Sequence, residues 1–313
     1  MKKLTFLMLS VFACVLSCAS EETKMNTLLQ NYTVTAAVPK AYFLPARQKG
    51  RVQLIEYVTR DYTQTSRPAI TKKAYVYLPY GYNADDTKVR YNTLFYMHGW
   101  TGIAGELFTV GGGFIKNMLD AMIERGDIKP LIVVAATFDN GNEPQDFARS
   151  VEELSVFHND FRDALLPFID SHFNTNASRN SRAFSGFSLG AVTTWYEFYY
   201  NNDLIKYFLP LSGDCWIMGT YGGRYQPQAT TDRLEQLVQE KGYTAADYEI
   251  YAAVGTRDPI WDQVNNQLTE MLAAAPSAGA MYATLLNKVV AMTMMQSLNI
   301  CTTHCRCILD VSP

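Results

Sequence analysis

The stretch SRAFSGFSLG at residues 181–190, continued by AVTTWYEFYY at 191–200, decides the fold. Ser181–Phe184 reads as a strand and Ala191–Tyr200 as a helix. Between them stand Gly186, Ser188 and Gly190 in the spacing G-x-S-x-G. A strand that passes at once into a helix through a glycine-flanked serine is a nucleophile elbow: the glycines let a strained turn close, and the hydroxyl is presented at the carboxyl edge of a sheet.

Working outward, the runs RVQLIEYVT from Arg51, KAYVYLPY from Lys73, NTLFYMHG from Asn92 and PLIVVAATF from Pro130 read as strands. KYFLPLSGD from Lys206 and YEIYAAVG from Tyr248 follow the elbow in the same style. Strands alternating with helical patterns predict an α/β protein, a mainly parallel sheet with helices on both faces. A long helix is predicted between Ser150 and Phe173, because Val151, Leu154, Phe157, Phe161, Leu165 and Phe168 recur every three or four residues on one face. His158 and His172 fall off that stripe and are expected to be exposed.

The chain has 313 residues, 48% hydrophobic and 18% charged, which is ample for a large core and argues against disorder. Its net charge is −3, and it holds no basic run beyond Lys2-Lys3 and Lys72-Lys73, so a nucleic-acid partner has no electrostatic footprint. No linker interrupts the segment between residues 45 and 285, and one domain is expected over 46–286.

Residues 1–18 have the form of a secretory signal: Lys2 and Lys3, an apolar run from Leu4 to Leu16, then Ser17-Cys18. The run is too short to span a bilayer. Val15-Leu16-Ser17-Cys18 is similar to a bacterial lipobox, in which Cys18 is acylated and residues 19–45 serve as a tether. The expected location is therefore outside the cytoplasm, periplasmic or at the cell surface, with possible attachment to the membrane by the lipid. Of six cysteines, two lie in this segment, Cys215 stands alone and three crowd the end as Cys301, Cys305 and Cys307, which is no disulfide framework.

A serine hydroxyl is a weak nucleophile, so Ser188 needs a base and donors for the oxyanion that follows attack. The backbone N–H of Leu189, first in the helix, is one donor. The loop His98-Gly99-Trp100-Thr101-Gly102 after an early strand is the expected source of the second, assigned to the N–H of Trp100. His98 is expected to shape that loop rather than act as base. For the acid, Asp258 follows the strand-like YEIYAAVG and is preferred to Asp214 and Asp262. Gly111-Gly112-Gly113 lacks both the G-x-G-x-x-G spacing and a Walker lysine, and no cofactor or metal is expected.

With HGWTG, SGFSLG followed by TTW, LSGDCW and VGTRD in that order, residues 50–286 resemble the esterase D-like α/β hydrolases, in particular the feruloyl and acetylxylan esterases of carbohydrate esterase family 1. The resemblance implies an α/β-hydrolase sheet and ester hydrolysis through an acyl-enzyme, on feruloyl or acetyl esters of plant xylan or its oligosaccharides. It also implies a final strand, a Gly-rich turn and a triad histidine. The sequence instead ends in KVVAMTMMQSLNICTTHCRCILDVSP, whose only histidine is His304.

Reverse translation of Lys288–Gln296, read from the third base of each codon, permits Gly-Gly-Gly-His-Asp-Tyr-Asp-Ala. The expectation is a single-base frameshift near Leu285–Lys288, with 287–313 an aberrant tail. Two rival readings of that tail are weaker. Cys301, His304, Cys305 and Cys307 match no common zinc spacing, and His304 lacks a turn that would aim it as a base. Two other functions compete with the esterase: a non-catalytic carbohydrate-binding lipoprotein on a degenerate hydrolase fold, and a thioester hydrolase, which the export signal disfavours.

Overall fold

The computed structural model describes residues 40–109, 113–244, 247–255, 258–274 and 281–286. The expected signal segment with Cys18, the expected tether up to residue 39, and residues 287–313 with His304 lie outside the described residues. So do Thr256 and Arg257 of the VGTRD motif.

Eight strands form one sheet in the order β1-β2-β4-β3-β5-β6-β7-β8. They are β1 (Arg51–Arg60), β2 (Ala69–Leu78), β3 (Asn92–Met97), β4 (Leu131–Ala136), β5 (Arg182–Phe187), β6 (Tyr207–Leu211), β7 (Glu249–Gly255) and β8 (Met281–Leu286). β1 and β2 make an antiparallel hairpin, β2 lies antiparallel on β4, and the other neighbours are parallel. This is the α/β-hydrolase arrangement. Helices Phe114–Glu124, Phe147–Asp160, Leu189–Asn201, Pro227–Glu240 and Trp261–Ala274 fill the crossovers. Every residue of β4 and β6 is buried, as apolar runs such as LIVVAA and YFLPL require of central strands covered on both sides.

The seven strand-like runs all appear as strands. The eighth, MYATLL, was not read as one, and it pairs in parallel with β7 from Ile250↔Met281 to Gly255↔Leu286. β2 also starts four residues earlier than its apolar run, at Ala69. Lys72 belongs to this early part and is 1% exposed, so the Lys72-Lys73 pair is half core and half surface. Its ammonium is 2.9 Å from Asp160, donates to the Phe138 carbonyl and lies over the Phe157 ring.

The helical segment between β4 and β5 departs from the expected single helix. Phe147–Asp160 is α-helical, Phe161–Leu165 is a widened π turn in which the Leu166 N–H donates to the Phe161 carbonyl, and Leu166–His172 resumes the α-helix. Pro167 accounts for the break, since it lacks an N–H and its ring crowds the carbonyl of the residue four before it. The apolar stripe is as expected: Leu154, Phe157, Phe161 and Leu165 are buried, with Val151 and Phe168 packed against them. His172 is exposed, but His158 is not. Its ring stacks on Tyr200 at 3.8 Å, and burial pushes its pKa down to about 4. The pattern missed this because the neighbouring helix Leu189–Asn201 covers that flank.

Candidate active site

Ser188 sits between β5 and the helix Leu189–Asn201 with φ 57° and ψ −118°. A non-glycine residue there costs on the order of 1–3 kcal/mol and persists only when its surroundings fix it. They do so here. The Ser188 N–H donates to the Leu211 carbonyl of β6 at 2.9 Å, and its own carbonyl accepts from Ala191 and Val192. Gly186 and Gly190 make the turn possible by close approach: a Cβ on Gly190 would lie 2.2 Å from the Met97 carbonyl, and one on Gly186 would lie 2.3 Å from that of Gly190. The Ser188 side chain is half-buried and caps nothing in its helix. Leu189 begins that helix, so its N–H has no partner within it and stands at the positive end of the dipole.

The loop after β3 closes on this serine. A Cβ on Gly99 would be 3.3 Å from Ser188 Cβ and 3.2 Å from the Phe187 carbonyl, so the backbone at Gly99 lies against the elbow. Trp100 follows directly, in a turn closed by Gly102 N–H donating to the Gly99 carbonyl, with Thr101 at φ 66°. His98 organises the turn from beneath. Its Nδ1 is 2.7 Å from the Gly99 carbonyl and must carry the proton, and its Nε2, 2.7 Å from Thr137 Oγ1, is the acceptor. Burial holds this imidazole neutral, with a pKa down to about 4, so the Asp139 carboxylate 3.9 Å away is a neighbour rather than an ion pair. Asp139 itself is pushed up to about 6, chiefly by burial.

The three carboxylates divide clearly. Asp214 is buried and fully engaged: Oδ1 accepts from Trp216 Nε1 at 2.7 Å and Oδ2 from the Arg224 N–H at 3.1 Å. It holds together the loop after β6. Asp262 is exposed at the start of the helix Trp261–Ala274. Asp258 is half-buried on the loop after β7; its Oδ1 accepts from the Ile260 N–H, and Oδ2 has no partner among the described residues. A ladder along the sheet edge links it to the elbow, because Ser188 donates to Leu211 of β6 and Ser212 donates to Ala253 of β7. Among the described residues, no histidine has a nitrogen bonded to Ser188. Nor does any group of three or more His, Cys, Asp or Glu among them suit a metal ion.

A run of aromatic rings, not anticipated from the sequence, crosses from the loop after β3 to the loop after β6. Trp100 donates from Nε1 to the Gln145 carbonyl and meets Phe147 edge-on at 5.3 Å. Phe147 meets Trp216 at 6.4 Å, and Trp216 meets Tyr221 at 4.9 Å. Trp100 remains 46% exposed, so the run is a surface as well as a packing layer. LSGDCW was the available signal, since the aspartate fixes the tryptophan two residues on. Cys215 between them is buried with its thiol pushed up to about 12, unsuited to nucleophilic work.

The fold and elbow define a class of enzyme-like α/β proteins, and the comparisons narrow it: the chain belongs to the Esterase family, whose model matches residues 68–283. It is 33% identical over 245 residues to endo-1,4-beta-xylanase Y of Acetivibrio thermocellus, covering 75% of this chain and 20% of that protein. It is also 33% identical over 166 residues to an endo-1,4-beta-xylanase/feruloyl esterase of Xylanibacter ruminicola, covering 51% of this chain and 20% of the relative. The chain thus spans about a fifth of the length of these curated relatives. Among solved structures it is similar to a serine-to-alanine mutant of the feruloyl esterase module from Clostridium thermocellum complexed with sinapinate. That match has 27% identity and a TM-score of 0.71, over 89% of this chain and 95% of the other.

Proposed function

We propose that the protein is an exported serine carboxylic-ester hydrolase that removes feruloyl groups, and secondarily acetyl groups, from xylan or its oligosaccharides. The observation that carries this reading is Ser188, held at φ 57° in a strained elbow with an unengaged helix N–H on one side and the Gly99–Trp100 backbone on the other. Ser188 attacks the ester carbonyl, and the N–H groups of Leu189 and Trp100 receive the oxyanion where charge develops. Asp258, at the carboxyl end of β7, orients a histidine base, which takes the serine proton and returns it to the leaving alcohol. Water then releases the acid. The aromatic run from Trp100 to Trp216 favours a phenolic acyl group over acetate, because flat rings stack on it. One relative's name joins feruloyl esterase to xylanase and the other is named a xylanase, which supports the polymer. Export, with acylation of Cys18, suits a substrate too large to enter a cell.

The base is assigned to the shifted reading frame beyond Leu285, which supplies Gly-Gly-Gly-His where the resemblance requires it. Resequencing the gene through that region tests this, and an undisturbed frame defeats it. Ferulate release from ethyl ferulate and covalent labelling of Ser188 by a fluorophosphonate, measured on the chain expressed from the restored frame, test the activity. Both are expected to vanish in Ser188→Ala, and turnover unchanged in that variant would refute the assignment. The absence of a histidine bonded to Ser188 among the described residues favours one rival, a carbohydrate-binding protein on a degenerate fold, which would bind the polysaccharide and not label.

A further inference from the structure

A second concave site lies on the same carboxyl edge of the sheet, well away from Ser188. β1 runs parallel to β4 through two antiparallel pairings, so Arg60 at the end of β1 and Ser188 after β5 face the same side. Four strand spacings separate them, ~19 Å across the sheet. The pocket has a volume of about 450 Å³ and is lined by Val58, Thr59, Arg60, Tyr62, Arg67 and Asp163, among others.

The walls of this pocket are pre-organised. The turn between β1 and β2 is closed by the Asp61 N–H donating to the Pro68 carbonyl and by Arg67 N–H donating to that of Gln64. Buried Asp61 anchors it, accepting from the Thr63 N–H and hydroxyl, from Gln64 and from Asn140 on the loop after β4. Those hydrogen bonds hold the Asp61 carboxyl below the usual carboxylate range in spite of its burial. Arg67 occupies the left-handed region at φ 44°, a strained position for arginine, and its carbonyl accepts from Arg60 Nη1. Its guanidinium lies over the Tyr62 ring, 5.4 Å from the centroid, and the Tyr62 hydroxyl is fixed on Asp163 at 2.9 Å.

Two features ask for a ligand. Neither Arg60 nor Arg67 is ion-paired among the described residues, although a guanidinium is built for bidentate capture of a carboxylate. Val58, 70% exposed, adds a small apolar patch beside the flat face of Tyr62. Two guanidiniums against the single carboxylate of Asp163 leave the lining net positive. An apolar ligand would strand these polar groups, and a bare inorganic anion would leave the ring and the isopropyl group unused.

We propose that this pocket binds an acidic saccharide, a uronic-acid residue carried on the polysaccharide whose ester Ser188 attacks. The uronate carboxylate takes the two guanidiniums and the sugar ring lies on Tyr62 and Val58. The loop that supplies Asn140 to the anchored turn also supplies Gln145 to Trp100, so one loop joins the pocket to the rim of the serine site. The site holds the polymer at a distance from the bond being cut. The choice of polysaccharide rests on the function proposed above; the recognition of a sugar carboxylate does not.

The test is calorimetric titration of the full chain carrying Ser188→Ala with three probes: a xylo-oligosaccharide bearing glucuronic acid, the neutral xylo-oligosaccharide of equal length, and inorganic phosphate. The acidic oligosaccharide is expected to bind about tenfold or more tighter than the neutral one. Arg60→Gln and Arg67→Gly, the latter suited to a positive φ, are expected to erase that preference while leaving neutral binding intact. In the chain with Ser188 restored, both variants keep fluorophosphonate labelling unchanged. Equal binding of the two oligosaccharides, or a preference that survives both variants, overturns the proposal. Phosphate binding as tight as the acidic sugar overturns the saccharide assignment. Failure of the esterase reading shows separately, as loss of ferulate release and of Ser188 labelling.

Discussion

Glu197 stands in the helix that carries Ser188 at its start, fully buried, and offers a quantitative test of how this interior is held. Its Oε2 accepts from Asn201 Nδ2 at 2.7 Å, while Oε1 has no partner among the described residues. Burial above all, with the Asp160 charge adding to it, raises its pKa from 4.5 to about 8. Between those values the folded chain keeps a proton that the unfolded chain has released, so stability falls as pH rises through the window. The slope is up to about 1.4 kcal/mol per pH unit, and the whole window is worth on the order of 5 kcal/mol. Glu197→Gln keeps an oxygen for Asn201 and cannot ionise, so it removes this alkaline loss. The acid side differs in origin. His98 and His158 are both held down to about 4, so the unfolded state takes up protons below 6.5 that the folded state refuses. Urea denaturation followed by tryptophan fluorescence from pH 5 to 8.5 reads both limbs. The variant is expected to flatten the alkaline limb and leave the acid limb in place. Parallel curves for wild type and variant above pH 6 would refute the account of a protonated, desolvated carboxyl.

Two further outcomes follow from the packing. Lys72→Met leaves the buried Asp160 carboxylate with only the Tyr57 hydroxyl as donor and takes the ammonium from the Phe138 carbonyl, and is expected to cost about 3–5 kcal/mol in urea unfolding, with Asp160→Asn added on top recovering part of the loss. Gly190→Ala places a methyl 2.2 Å from the Met97 carbonyl and 2.6 Å from that of His98, so the elbow and the loop after β3 must separate. A displacement near 1 Å costs about a hundredfold in rate, read as slower fluorophosphonate labelling of Ser188 in protein that circular dichroism shows to be folded.

What the sequence disclosed was what rests on local pattern. The G-x-S-x-G spacing between a strand and a helix located Ser188 because the elbow is built within a few residues, and the apolar runs of β3 to β7 are long enough to announce themselves. β8 was lost because MYATLL is short and follows an alanine-rich stretch without a strand's alternation. The burial of Lys72 was not legible, because it depends on Asp160, which lies on a helix between two later strands. The π turn needed Pro167 to be weighed against an otherwise regular stripe. Likewise the aromatic run joins segments far apart in the chain, and the pocket beside Arg60 and Arg67 is completed by Asp163 and Ala164, a hundred residues on.

The hydrogen bond from Ser188 to Leu211, and the rung from Ser212 to Ala253 beside it, also set a schedule for the life of the molecule. Both partners are synthesised after the serine, and the loop that packs on it was made long before. The strained turn therefore has nothing to hold it while the chain is still emerging. Assembly from such distant contacts is slow, and the backbone at Ser188 takes its strained form only once the sheet has closed behind it. A chain still being made thus carries an unformed elbow, and the geometry of Ser188 arrives together with the finished fold.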